Sequence, residues 1–365
     1  MDIDYQVTVV GAGITGASIA ARLASQGLSV ALLDQGSIGG LGASGISGGL
    51  VRLYDLDPLL MQLTAHALQV MQQAPFAASY SAALRRTGVL YRAGLDQQAQ
   101  VRAAVERHAS AQYPMLQVQG HAGFAARADR IDVYEPHACI GDVRQASASL
   151  AGVVRSAGLV LEHCRVEAID WQADGSAQLR LGELRLRSRV VVLATGAWTR
   201  HLAPELGLEC RAIPLARLHT ERAWALPVID APSGSYAIPL APHLVQSGGG
   251  LRARGQWPED LPAPDARHSA EVRERVRQLA GAGQVRVLDI VPGFDSYSAD
   301  GRPLLGFVDE QRGLYVACGQ SGVGFKFAPA LADIAARQLQ GFLRDGQRER
   351  EPAWAALCAR RGVQS

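Results

Sequence analysis

The stretch VTVVGAGITGASIAARLASQGLSVALLDQ, residues 7–35, decides the fold. It opens with an unbroken apolar run, Val7 to Val10, the pattern of a strand buried on both faces of a parallel sheet. Gly11, Gly13 and Gly16 follow in G-x-G-x-x-G spacing. The first glycine permits a tight turn, the second lets backbone approach a pyrophosphate, and the third packs helix against strand. A helix is predicted from Ile14 to about Gln26, its free N–H groups and positive dipole end aimed at that phosphate. A second strand, Ser29 to Leu33, ends at Asp34, about 20 residues beyond the glycines, where a ribose-binding carboxylate belongs. An acid at this position favours a free ribose 2′-hydroxyl, hence FAD or NAD rather than NADP.

At 365 residues the chain is long enough for two domains, or for one domain carrying a large insertion. A net charge of +2, with the basic residues scattered, leaves no footprint for nucleic acid. The opening MDIDYQVTVV begins with acids and has an apolar run too short for a signal peptide or a membrane span, so a cytoplasmic protein is expected. Cys139, Cys164, Cys210, Cys318 and Cys358 lie far apart with no C-x-x-C pair, and read as reduced structural thiols rather than a metal site or a disulfide framework.

Three later segments narrow the choice of dinucleotide. LRSRVVVLATGAWTRHL (186–202) is another buried strand, ending in Ala194, Thr195 and Gly196 ahead of Trp198. FDSYSADGRPLLGFV (294–308) carries Asp300-Gly301-x-Pro303, and GLYVACGQSGVGFKFAPALADIAARQL (313–339) reads as strand, glycine turn and long helix. Two glycine-rich helix starts then face one cofactor, and a helix N-terminus favours the anionic charge of a reduced flavin. Together these segments resemble the D-amino-acid oxidase and sarcosine/glycine oxidase family of FAD enzymes. The resemblance implies an α/β architecture, a Rossmann-type FAD-binding domain with an inserted antiparallel-sheet cap. The expected FAD domain is discontinuous, 1–80, 140–210 and 298–365, and the cap is built from 81–139 and 211–297. Cofactor contacts are expected from Gly11, Gly13, Ile14, Thr15, Gly16, Asp34, Gln35, Ser44, Gly45, Gly49, Val166, Thr195, Gly196 and Trp198. The C-terminal turn adds Gly322, Val323, Gly324, Phe325 and Lys326. Family members with covalent flavin carry a cysteine where Gly293 stands here, so FAD is expected to be held without a covalent bond.

Lys326 is the one lysine in the chain, beside 35 arginines. It reads as a survivor of arginine-biased drift or, by the resemblance, as the G-F-K-F lysine that binds a substrate carboxylate. Arg52, in SGGLVRLYD (47–55), falls where the family has a second cation, although Gly48-Gly49 replaces its Thr-Arg; the other reading is a solvated loop arginine. Arginine offers a bidentate fork and lysine a point charge, so the two would fix one carboxylate. Asp295 stands where glycine oxidases have an arginine, and either meets a cationic substrate group or is a surface acid in a turn. In HLVQSGGGLRARG (243–255), Gln246 matches the position of an oxygen-activating lysine, with Arg252 or Arg254 in neighbouring registers. Tyr236 and Tyr297 are roof or core aromatics; His66, His219 and His243 are either acid–base residues or, as lone histidines with no local carboxylate partner more often are, structural ones.

The implied activity is FAD-dependent oxidation of the C–N bond of an amino acid or related carboxylate-bearing amine, by hydride transfer to flavin N5 with release of an imine. With no second lysine to assist oxygen, the enzyme is expected to be a dehydrogenase or a slow oxidase, its electron acceptor unknown. The alternatives are an FAD-dependent 2-hydroxy-acid dehydrogenase, which needs a base such as histidine, and an FAD-bound non-catalytic subunit of a larger complex.

Overall fold

The computed structural model describes residues 4–248, 250, 252–281, 283–308, 312–347 and 351–363. Met1 to Ile3, part of the opening segment read above, and Gly249 and Leu251 of the glycine-rich run lie outside the described residues.

The apolar run at the N-terminus forms the strand Tyr5–Val10, and the helix Ile14–Ser25 follows the glycines directly. The second strand is shorter than its sequence suggests, Val30–Leu33; ahead of it the Ser29 carbonyl accepts from Val7 N at 3.2 Å and the Ser29 hydroxyl from Gln6 N at 2.9 Å. Parallel pairing runs Leu159–Leu161, Val30–Leu33, Tyr5–Val10, Leu184–Leu193. The last of these strands is long enough to serve two neighbours along one edge. Its first half pairs antiparallel with Ala177–Leu181, and its second half pairs parallel with Leu314–Cys318. Val10, Leu33, Leu193 and Val316 are in register, so the carboxyl ends of four strands open on one edge of the sheet. In open α/β sheets this is the edge where ligands bind. The helices Ile14–Ser25, Val143–Arg155 and Gly324–Asp345 bury one face of the sheet in the largest core, and Leu179, Val191 and Leu206 belong to a second core on the other.

A second eight-stranded sheet is built mainly from residues 89–135 and 215–291, with the helix Ala266–Ala280 packed on its Leu218 and Val245. It is not wholly antiparallel. Val228–Asp230 runs parallel to Val89–Gly94, because those two strands meet from distant parts of the chain and no tight turn fixes their direction. The segment GLGASGISGG also departs from a plain loop: Gly42–Ile46 coils into one turn of helix. A Cβ on Gly45 would stand 2.2 Å from the Gly40 carbonyl oxygen, so the turn closes onto the preceding backbone only with glycine there.

The junction of first strand and helix has the same demand. A Cβ on Gly16 would lie 1.8 Å from the Gly11 oxygen, and Gly11 itself has φ +99° with the Ala194 carbonyl 2.5 Å from where its Cβ would be. Gly152, in the helix Val143–Arg155, has nothing within 4 Å. Gly16→Ala is therefore expected to lower stability by about 3 kcal/mol through overpacking. Gly152→Ala should raise it by up to about 1 kcal/mol through helix propensity. Urea unfolding of both variants checks the pair, and equal effects would show the strand–helix contact to be slack.

Candidate active site

A cavity of about 490 Å³ opens at the carboxyl edge of the first sheet. Gly11, Gly13, Ile14 and Thr15 line it from the first glycine loop, and Gly322, Val323, Gly324, Phe325 and Lys326 from the second. Both loops start helices, of 12 and 22 residues, and neither helix has an acid in its first turn or a side chain capping its N-terminus. Unoccupied by acids, both positive ends face the same space. Ser44 Oγ accepts from Ile14 N at 3.1 Å and ties the short helix to the first loop. Asp34 accepts from Ala12 N at 2.6 Å and from Gly36 N at 2.8 Å, holding the loop in shape, and burial raises its pKa despite these bonds. Gln35, Gly49, Val166, Thr195, Gly196 and Trp198 complete this part of the wall. Gly16 and Gly45 do not line it; they act one layer back, as the close contacts described above. Cys164 and Arg165 line it too, although no sequence signal pointed to them.

At the other end the cavity meets a buried charge cluster. Lys326, 2% exposed, donates from Nζ to Asp55 Oδ2 at 2.8 Å. Burial lowers the lysine's pKa to about 8 even with this partner. Burial pushes Asp55 the other way, upward, but Lys326 and Arg52 together outweigh it and hold the acid at about 2. Arg52 Nη2 stands 3.7 Å from the same carboxylate, the guanidinium lies over the Tyr91 ring at 4.9 Å, and Nη1 is buried without a hydrogen-bond partner among the described residues. Arg52 is thus no solvated loop residue. Glu135 reaches in from the second sheet and accepts from Leu53 N at 2.6 Å and Tyr54 N at 3.0 Å, fixing the loop that carries Arg52 and Asp55. Asp55 stands three residues beyond Arg52, yet neither its pairing with Lys326 nor the reach of Glu135 was legible in the sequence, because nothing in RIDVYE signals a contact with a loop some 80 residues earlier.

Residues 6–338 match the family of FAD dependent oxidoreductases. The chain belongs to that family. A glycine oxidase of Pseudomonas aeruginosa is 28% identical over 360 residues, covering 92% of this chain and 95% of that protein. Among solved structures, L-proline dehydrogenase from P. horikoshii superposes with a TM-score of 0.82 at 17% identity, covering 99% of this chain and 98% of that one. Glycine oxidase from Geobacillus kaustophilus gives 0.77 at 20% identity, with 99% of each chain covered. These two likenesses establish the fold of an FAD-dependent oxidoreductase.

The cavity's own features fit FAD, with two helix starts free of acids for its pyrophosphate and flavin and a half-buried acid, Asp34, at the end of the second strand. At Gly293 a Cβ would lie 2.4 Å from the Ile213 oxygen and 2.3 Å from Ile46 Cδ1, so a flavin-linking cysteine has no room there without a shift. The remaining sequence candidates divide. Asp295 is 7% exposed on the strand Phe294–Tyr297 and lines the cavity, so it is not a surface turn acid. Tyr236 and Tyr297 also line it, and Arg252 reaches it while donating to the Tyr297 hydroxyl at 3.2 Å. Gln246 does not line it: its amide donates to the Ile46 carbonyl at 3.0 Å, so its work is to brace the short helix. Arg254 turns to Glu209. His66 pairs with Asp333, and His219 and His243 stack with each other, all away from the cavity. His201 lines it and stacks on Trp257 with centroids 4.0 Å apart.

The pairing of Lys326 with Asp55 changes what its removal should do. In Lys326→Met the acid is free to close on Arg52 and occupy the guanidinium, so propionate binding, followed by the flavin absorption, should weaken about tenfold or more. Adding Asp55→Asn should restore most of it. No recovery in the double variant would mean that the lysine itself holds the carboxylate, and unchanged affinity in Lys326→Met would return the residue to compositional drift.

Proposed function

We propose that this FAD-dependent oxidoreductase oxidises the C–N bond of an amino acid, or of a related amine bearing a carboxylate, to an imine that water then hydrolyses. The observation that carries this reading is Arg52 Nη1, a buried guanidinium donor without a partner in the wall of the dinucleotide cavity. An unmet buried donor of this kind is costly, and a substrate carboxylate is the group that best satisfies it. The glycine oxidase relative supports an amino-acid substrate. FAD, when bound, supplies the two-electron acceptor for hydride from the carbon bearing the nitrogen.

The chain's own part is to bind, orient and exclude water. Arg52 anchors the carboxylate, with Tyr91 beneath its guanidinium and Asp55 held off it by Lys326. Ile46, Ile213, Ile238 and Phe294 give the cavity an apolar wall that strips water from the bound amine. Desolvation favours the neutral amine, whose lone pair is needed for hydride loss. A 2-hydroxy acid would need a base for its hydroxyl; His66, His219 and His243 lie away from the cavity, and His201, which lines it, is stacked on Trp257. Among the described residues no helix is long and apolar enough to cross a membrane, and a cytoplasmic location, non-covalent FAD and a small-molecule amine substrate belong to the proposal.

Anaerobic mixing with a panel of amino acids, N-methylated amino acids and 2-hydroxy acids tests it. At least one amine of the panel should bleach the flavin absorption. Bleaching by hydroxy acids alone would favour the dehydrogenase alternative, and bleaching by nothing would favour the non-catalytic subunit.

Reactivity with oxygen is expected to be low. The single lysine of the chain is tied to Asp55, and the other strongly basic residues of the described cavity lining, such as Arg252, are arginines whose diffuse charge stabilises a nascent superoxide less well. Stopped-flow mixing of the reduced protein should show slower reoxidation by air-saturated buffer than by a quinone dye; faster reoxidation by oxygen would refute this.

A further inference from the structure

Arg52 gives the cavity an anion receptor, and a second charge in the same wall, Asp295, has no counter-charge among the described residues. Asp295 Oδ1 accepts from Ser296 N at 2.7 Å, and Oδ2 from Gly322 N at 2.7 Å. Among the described residues no lysine, arginine or histidine forms an ion pair with it, and burial raises its pKa to about 6 against those two backbone bonds. The cations nearest in the fold are engaged. Arg211, its partner in register, binds Glu209 at 2.5 Å and lies over the Tyr297 ring at 4.4 Å, while Arg252 serves the Tyr297 hydroxyl. A buried carboxylate with two N–H donors still has lone pairs to fill, and its charge is uncompensated. Two opposite charges in one cavity, each left wanting by the protein, suit a ligand that carries both.

We propose that Asp295 is the specificity residue that receives the substrate nitrogen while Arg52 receives the carboxylate, so that the site selects amino acids over hydroxy acids of the same shape. The proposal rests on the amine-oxidising reading above and names the residue that makes the choice. Asp295 holds the nitrogen by charge when it arrives as ammonium, and by accepting an N–H bond once the proton has left. A hydroxy acid offers no charge to match, so the buried carboxylate stays uncompensated in its complex.

Two shape-matched probes test this without turnover. Betaine carries a quaternary nitrogen where 3,3-dimethylbutanoate has a carbon, and with no lone pair it cannot lose hydride. Calorimetric titration of the FAD-loaded protein near pH 8 should show betaine bound about tenfold tighter, the size expected for one desolvated charge contact. Asp295→Asn should erase or invert that preference while leaving 3,3-dimethylbutanoate bound at least as well, with the FAD content as the check on folding.

The unmodified protein gives an independent arm. Asp295 is charged above about pH 6 and loses its charge below it, so lowering the pH from about 8 to about 5.5 should weaken betaine severalfold and leave 3,3-dimethylbutanoate unchanged or tighter. The groups facing Asp295 from neighbouring elements are Cys210, raised to about 12, Tyr297, also raised, Arg211 with Glu209, and Arg252. A pH step that survives in Asp295→Asn belongs to another group and overturns the assignment. An unchanged preference in Asp295→Asn refutes the role of Asp295 alone. Failure of the unmodified protein to bind either probe refutes the carboxylate–amine reading itself.

Discussion

Everything at the cofactor end depends on how closely the first helix can approach the first strand. The Gly11 carbonyl occupies the space a side chain at position 16 would need, and the Ala194 carbonyl occupies the space one at position 11 would need. These contacts bring the start of the helix against the ends of two strands at once. The Ile14 N–H is taken by Ser44 Oγ, and the positive end of the helix faces the cavity at the sheet edge. The second glycine turn, before Gly324, repeats this placement from the C-terminal side of the chain. Two dipoles directed at one cavity repel each other, and an anionic ligand between them relieves that repulsion.

The substrate end is governed by a different balance. Four ionisable groups, Arg52, Asp55, Glu135 and Lys326, are brought together by three separate segments, and their formal charges cancel. Neutrality makes the burial tolerable, since an unmatched charge there would be prohibitive. The cancellation is uneven, however. Lys326 satisfies Asp55 directly, Glu135 is satisfied by backbone, and Arg52 is left with spare donor capacity. A lysine suits its position because one compact ammonium meets one carboxylate oxygen; a guanidinium would have to place its fork in a space that has a single acceptor.

The dinucleotide half of this design was legible because it is local. Glycine spacing, apolar runs and a terminal acid are all properties of consecutive residues, and each has a steric reason that holds in any context. Arg52, Lys326 and Asp295 could be picked out by position, but their partners could not. Asp55 was hidden in plain view beside Arg52, since sequence gives no measure of how a loop folds back on a helix about 270 residues later. Gln246 was matched to a position on a strand, and a register that cannot be read from sequence turned its side chain toward Ile46 instead of the cavity. Alternation reports which residues share a face, not what that face looks at.

The parallel pairing of Val228–Asp230 with Val89–Gly94 has a consequence for the order of folding. The strands Val89–Gly94 and Arg130–Glu135 form a hairpin-like pair early in the chain, but their next neighbour is about 100 residues further on. Between them lie the strand Leu184–Leu193 and the helix that docks before it, both parts of the nucleotide sheet. Loop-closure entropy makes so distant a pairing slow to form while the intervening chain is unfolded. Once the nucleotide sheet has collapsed, the same two strands are separated by a short path through a compact body. The second eight-stranded sheet is therefore expected to assemble on a finished nucleotide sheet, and a nascent chain ending before Val228 leaves the Val89–Gly94 edge of that sheet unpaired.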